Sequence, residues 1–156
     1  MATVQRALPV GDVTGHIAST LAGGPPCEVR WRDGDATLLV DVAALEVALG
    51  EGWLAVEVPV MCDQAGRQPL RAVLHLGAPG DGDGAAAAFA LDPGAPAVVA
   101  ARWRAAFRDR LWGAVLDVLE CAVAATPGGA RVVGFACTER GIDVEVELAT
   151  GEATPP

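Results

Sequence analysis

Apolar and polar residues alternate most clearly between Trp53 and Cys62, where Leu54, Val56, Val58 and Val60 share one side. A period of two over that length predicts a β-strand with one buried face. Pro59 has no N–H to give to a ladder, so it marks an edge position or a bulge. The alternation recurs in two hairpins. In the first, Cys27, Val29 and Trp31 alternate with Glu28 and Arg30. The turn is Arg32-Asp33-Gly34-Asp35, and Ala36 to Val42 returns. In the second, Val133, Phe135 and Cys137 lead into Glu139-Arg140-Gly141. Ile142, Val144, Val146 and Leu148 then alternate with Asp143, Glu145 and Glu147, a half-buried strand with one wet, acidic face.

Helical spacing appears in two places. Val13, Ile17 and Leu21 recur every four residues, so Asp12 to Leu21 predicts a short helix with Asp12 as cap, stopped by Gly23-Gly24-Pro25-Pro26. Between Ala105 and Ala125, Phe107, Leu111, Val115, Leu119 and Ala122 form a stripe that Trp112, Leu116 and Val123 widen. Ala43 to Leu49 is helix-compatible for two turns and closes at Gly50. Two segments stay open to both states. Pro69 to Leu76 fits a short helix started by Pro69 or a strand of Leu70, Ala72, Leu74 and Leu76; Ala97 to Arg104 fits a strand or the opening of the long helix. Ala85 to Leu91 reads as a strand, followed by an Asp92-Pro93-Gly94 turn. Ala78 to Gly84 reads as a flexible loop, and Thr150 to Pro156 as a disordered tail. The sum is one α+β domain over residues 1–149. An antiparallel sheet packs against an N-terminal helix and a long helix in the C-terminal half, with a further C-terminal β-hairpin.

Composition narrows the function. Hydrophobic residues make up 52% of the 156, enough for a sizeable core. A mean hydropathy of +0.36 points either to a large core or to apolar surface covered by a partner or second copy. The most apolar stretch is cut by Asp92-Pro93-Gly94 and half of it is alanine, so no membrane span is expected. The first residues lack a signal-peptide core, and a cytoplasmic location with reduced cysteines is expected. Cys27, Cys62, Cys121 and Cys137 form no C-x-x-C pair and read as small buried hydrophobes. The net charge of −9 argues against general affinity for nucleic acid or anionic membranes and favours basic partners.

Absences sharpen this. All eleven basic residues are arginine, so a Walker-type phosphate loop and a lysine Schiff base are both excluded. Ser19 is the one serine and lies outside any G-x-S-x-G setting. No G-x-G-x-x-G joins a strand to a helix, and two separate histidines with four scattered cysteines do not supply a zinc site. The acidic turns Asp33-Gly34-Asp35 and Asp81-Gly82-Asp83 lack the distal glutamate of a calcium loop and read as turn chemistry. His16 and His75 read as structural; an enzyme using carboxylates near His75 needs a pocket that gathers them. No catalytic residue, metal or cofactor is expected. Arg102, Arg104, Arg108 and Arg110 surround Trp103. They form either a cationic, partly aromatic patch for an acidic protein segment or nucleic acid, or a solvated helix face paired with Asp109 and other carboxylates. Trp53, with Arg102, Trp103, Arg104 and Arg108, completes the set of candidate contact residues, since tryptophan left on a surface often anchors an interface.

The order of elements resembles a known family. An amphipathic first helix precedes WLAVEVPVMCD (Trp53 to Asp63), a Leu-rich PLRAVLHLG and a strand ending in the turn AAFALDPG. The stretch APAVVAARW and the long helix RDRLWGAVLDVLECAV follow. Over roughly Asp12 to Ala125 this resembles the YbjN family, whose fold is like that of type III secretion chaperones. The resemblance implies a helical Pro69 to Leu76, a strand over Ala97 to Arg104, and an acidic homodimer that binds other proteins without chemistry. The hairpin after Thr126 departs from that pattern and is expected to extend the sheet or a dimer interface. The expected function is a chaperone-like adaptor for a partner protein, basic or nucleic-acid-handling. The alternative is nucleic-acid binding through the Arg102–Arg110 patch, although the acidic charge makes direct binding unfavourable.

Overall fold

Strand β1 (Thr3–Pro9) leads directly into helix α1 (Val10–Ala22) in the computed structural model, which describes residues 2–76, 88–91, 97–126 and 128–149. The elements that follow are β2 (Glu28–Asp33), β3 (Ala36–Asp41), a single 3-10 turn (Val42–Ala44), β4 (Glu46–Gly50), β5 (Trp53–Cys62), β6 (Gly66–His75), β7 (Ala88–Leu91), α2 (Ala97–Ala124), β8 (Ala130–Thr138) and β9 (Gly141–Leu148). The class is α+β. Every strand pairing is antiparallel, in a three-stranded sheet ordered β1-β9-β8 and a six-stranded sheet ordered β2-β3-β5-β6-β7 with β4 also on β5. The Gly52 N–H donates to the Cys137 carbonyl across 3.1 Å and ties the two sheets together.

The strongest sequence signals form as expected. Leu54, Val56, Val58 and Val60 are buried, as are Leu70, Ala72 and Leu74 opposite them on β6. The first hairpin turns at Gly34, whose φ of 62° suits glycine. On α2, Phe107, Leu111, Val115, Leu119 and Ala122 are all buried. The aromatic centre is Phe107, with its ring centroid 5.7 Å from Trp31 and 6.0 Å from Phe89. Val13, Ile17 and Leu21 of α1 join the same cluster, together with Ile142, Val144 and Val146 of β9. Both helices therefore pack against both sheets through one contiguous core. Helix α1 ends in a Schellman-type arrangement: Gly24 N–H donates to the Ser19 carbonyl and Gly23, at φ 70°, to that of Thr20.

Several expectations are corrected. Helix α1 begins at Val10, so Asp12 lies in its first turn and caps nothing. The region 43–49 is a 3-10 turn and a strand. Val47 and Leu49 turn toward the core in register with Val56 and Leu54, and this cross-strand burial overrides the helix-forming Ala, Leu and Glu around them. Residues 69–75 belong to β6, contrary to the helix implied by the resemblance. Ten consecutive pairs with β5 satisfy a backbone that two helical turns would leave less well buried. Residues 97–104 open α2 and are no strand, because Val99 and Trp103 continue the stripe of Phe107 and Leu111 at four-residue spacing. Leu116 does not widen that stripe; it is exposed. Val133 likewise leaves the expected alternation. A bulge between Val132 and Gly134 turns it outward, to 46% exposure.

The described part of the strand expected over residues 85–91 is β7. The Ala78–Gly84 loop, the Asp81-Gly82-Asp83 turn, the Asp92-Pro93-Gly94 turn and the tail from Thr150 lie outside the described residues. Pro59 stands on a central strand, but at its one gap. Strand β4 pairs with residues 53–57 and β3 with 60–61, leaving Val58 and Pro59 facing the 3-10 turn that joins them. No described helix is long and apolar enough to cross a membrane.

Of the four cysteines only Cys137 is buried; Cys27 is exposed beyond the first Gly-Pro turn, and Cys62 and Cys121 are half-buried. Burial pushes the Cys137 thiol from 9.0 up to about 11. Below pH 9 both folded and unfolded chains keep this proton. Between pH 9 and 11 only the unfolded chain releases it, so stability falls as pH rises through that window. Urea midpoints measured at pH 8 and pH 10.5 are expected to show this decline, and Cys137→Ala should flatten it.

Candidate functional site

Three separate turns meet at one end of the six-stranded sheet. The β2–β3 turn supplies Asp35, with Ala36 and Thr37 following on β3. The end of β5 supplies Cys62, then Asp63 and Gln64. The first turns of α2 supply Val98, Arg102 and Trp103. Between them lies a cleft of about 210 Å³. The register that sets Leu39 against Met61 brings Thr37 beside Asp63, and this is why the two turns lie together. Trp103 is buried, whereas Val98 is 40% exposed. The cleft therefore offers two carboxylates, one amide, one hydroxyl, one thiol and an apolar lip, with the Arg102 guanidinium at its side.

Arg102 is held across this end of the fold. Its Nε donates to Asp33 Oδ2 at 3.0 Å, an exposed pair of a kind that contributes less than about 1 kcal/mol but fixes the position of the guanidinium. The other expected arginines are likewise engaged one by one. Arg104 donates to the Phe89 carbonyl at 3.0 Å and lies over the Phe89 ring. Arg108 pairs with its neighbour Asp109 at 3.1 Å, and Arg110 stacks 4.8 Å above the Trp31 ring. Arg102, Arg104, Arg108 and Arg110 thus stand on the exposed side of α2, but their partners lie in different directions. Trp103 points away from them into the core.

Trp53 lies far along the chain from this group and at the opposite end of β5 from Cys62. Its indole packs directly over Gly50, leaving no room for a Cβ there. Of the five expected contact residues, the cleft gathers Arg102 and Trp103 and does not include Trp53, Arg104 or Arg108.

No family model, no curated protein and no solved structure matches this chain. Function must then be read from the site itself. His75 is exposed, opposite Trp53 on the sheet, and does not line the cleft. His16 Nδ1 sits 3.8 Å from Cys121 Sγ between the helices, one turn from the hydrogen bond of Thr20 to Asp117. No group of three or more metal-ligating side chains is found among the described residues. Asp35, Cys62, Asp63, Gln64 and Val98 escaped the sequence reading because they come from three turns far apart in the chain. The acidic Asp33-Gly34-Asp35 turn was the one visible trace.

Proposed function

We propose that this protein is a non-enzymatic, homodimeric adaptor that binds a segment of a partner protein, with the cleft beside the start of α2 as an anchoring point. The carrying observation is the cleft's size and lining. At about 210 Å³ it falls below the roughly 300–1,000 Å³ usual for small-molecule sites, yet it accommodates one long side chain. Val98 and Trp103 provide apolar contact for an aliphatic stem, while Asp35 and Asp63 provide acceptors for a cationic head. A basic partner segment suits both, and the net charge of −9 would speed its approach.

The test pairs wild type with Val98→Arg and with the double change Asp35→Asn and Asp63→Asn. Wild type is expected to retain a reproducible set of proteins from cell lysate at moderate salt. The variants should retain at least about tenfold less, the loss of about 1.4 kcal/mol of binding. Failure of wild type to capture anything reproducible, or equal capture by the variants, overturns the reading.

A further inference from the structure

Five strands have an open side, and four of them carry a feature that discourages pairing, the five-residue β4 with its Glu46 among them. In β2, Glu28, Arg30, Arg32 and Asp33 make four of six residues charged. β7 is four residues long. β1 points Arg6 inward, where its half-buried side chain leaves Nε without a partner. Charges, short length and inward-facing charge are the usual protections of a sheet edge. Strand β8 differs. It is nine residues long, it has no charge from Val132 to Thr138, and its bulge brings the most exposed large hydrophobic among the described residues, Val133, to the edge.

The hydrogen-bonding direction of β8 follows from its neighbours. Leu148 N–H donates to Ala2 and Ala149 N–H to Gly129, so even-numbered residues of β9 face β1 and odd-numbered ones face β8. With Glu147 opposite Arg131 and Glu145 opposite Gly134, the outward-facing backbone groups on β8 are those of Ala130, Val132 and Phe135. Cys137 also faces outward, and its carbonyl is taken by Gly52. The open stretch therefore ends at Phe135, and Ala130, Val132 and Phe135 have no backbone partner on that side among the described residues.

We infer that the homodimer of the proposed function, on which this inference rests, is built by antiparallel pairing of β8 with β8 of a second copy. A two-fold axis between Val133 and Gly134 sets Val132 against the partner's Phe135, and Phe135 against the partner's Val132. Outward-facing backbone then meets outward-facing backbone on both sides. The pairing joins two three-stranded sheets into six strands and buries Val133 of each copy near the axis. Arg131 stays held by Glu147 beside the ladder. A second copy fits better than a foreign strand, because the axis uses the same uncharged residues twice and consumes both open edges, closing the assembly at two chains.

Sedimentation equilibrium on the full chain tests this. Wild type is expected at twice 15.8 kDa in the micromolar range. Val132→Pro removes an N–H that β9 does not use, so the fold should keep its circular dichroism while the mass halves. Val133→Lys, which sets a like charge on both sides of the axis, should give the same monomer. A monomeric wild type overturns the inference and the homodimer, and leaves partner capture at the cleft to its own test. A dimer that survives both changes overturns the β8 interface alone.

Discussion

Replacing Phe107 by alanine is expected to destabilise the protein by about 3–5 kcal/mol, enough to unfold much of the population at 37 °C. Phe107 is fully buried, and its ring touches two other core aromatics, Trp31 and Phe89, which come from opposite edges of the six-stranded sheet. Truncation removes the transfer energy of the ring and leaves a cavity that two large rings on separate strands cannot easily fill. Trp31 adds to the effect. Its indole Nε1 is already buried without an acceptor, so packing and the Arg110 guanidinium over its ring, not a hydrogen bond, set its position. Urea denaturation followed by tryptophan fluorescence measures the loss. A change below about 1 kcal/mol would show that α2 is not the element that holds the sheet closed.

A second large effect is expected at Gly141, the first residue of β9. A Cβ there would stand 1.9 Å from the Leu8 carbonyl oxygen and 3.1 Å from Pro9 Cα. Both are backbone atoms, so no side chain can swing aside, and β1 would have to move as a body. Gly141→Ala is therefore expected to cost about 1–3 kcal/mol and to loosen β1 first. Amide exchange should accelerate at Val10, whose N–H donates to the Arg140 carbonyl, and along residues 3–9, while β5 and β6 keep their protection. Uniform acceleration across both sheets would instead show that the strand and the core unfold together.

Where the pattern along the chain was strong, it carried the fold. Both hairpins, β5 and the stripe of α2 rest on period-two or period-four apolar spacing that the burial reproduces. The failures have local causes. β1 went unseen because Arg6 occupies an inward position between Val4 and Leu8, where alternation calls for an apolar residue. Around Val47, intrinsic helix preference and cross-strand packing disagree, and packing won. Ala97 to Arg104 stayed open between strand and helix and the resemblance implied a strand, yet the four-residue spacing from Val99 to Trp103 and Phe107 goes with a helix. The candidate site was nearly illegible, since closeness of Asp35, Asp63 and Val98 arises from strand register and not from any motif. The arginine cluster and its pairing with Asp109 were visible, but a one-dimensional spacing could not reveal that Asp33, Phe89 and Trp31 claim the other guanidiniums.

The three-stranded sheet joins the two ends of the described chain, with Thr3 in register with Glu147. During synthesis, which adds roughly 5–20 residues each second, β1 emerges ahead of the other described strands and must wait for all of them before its ladder partner β9 exists. The six-stranded sheet, by contrast, is built almost entirely from hairpins between neighbours and can assemble on the nascent chain. Until β9 leaves the ribosome, β1 is thus an unpaired ribbon that a cell must keep from other unpaired ribbons.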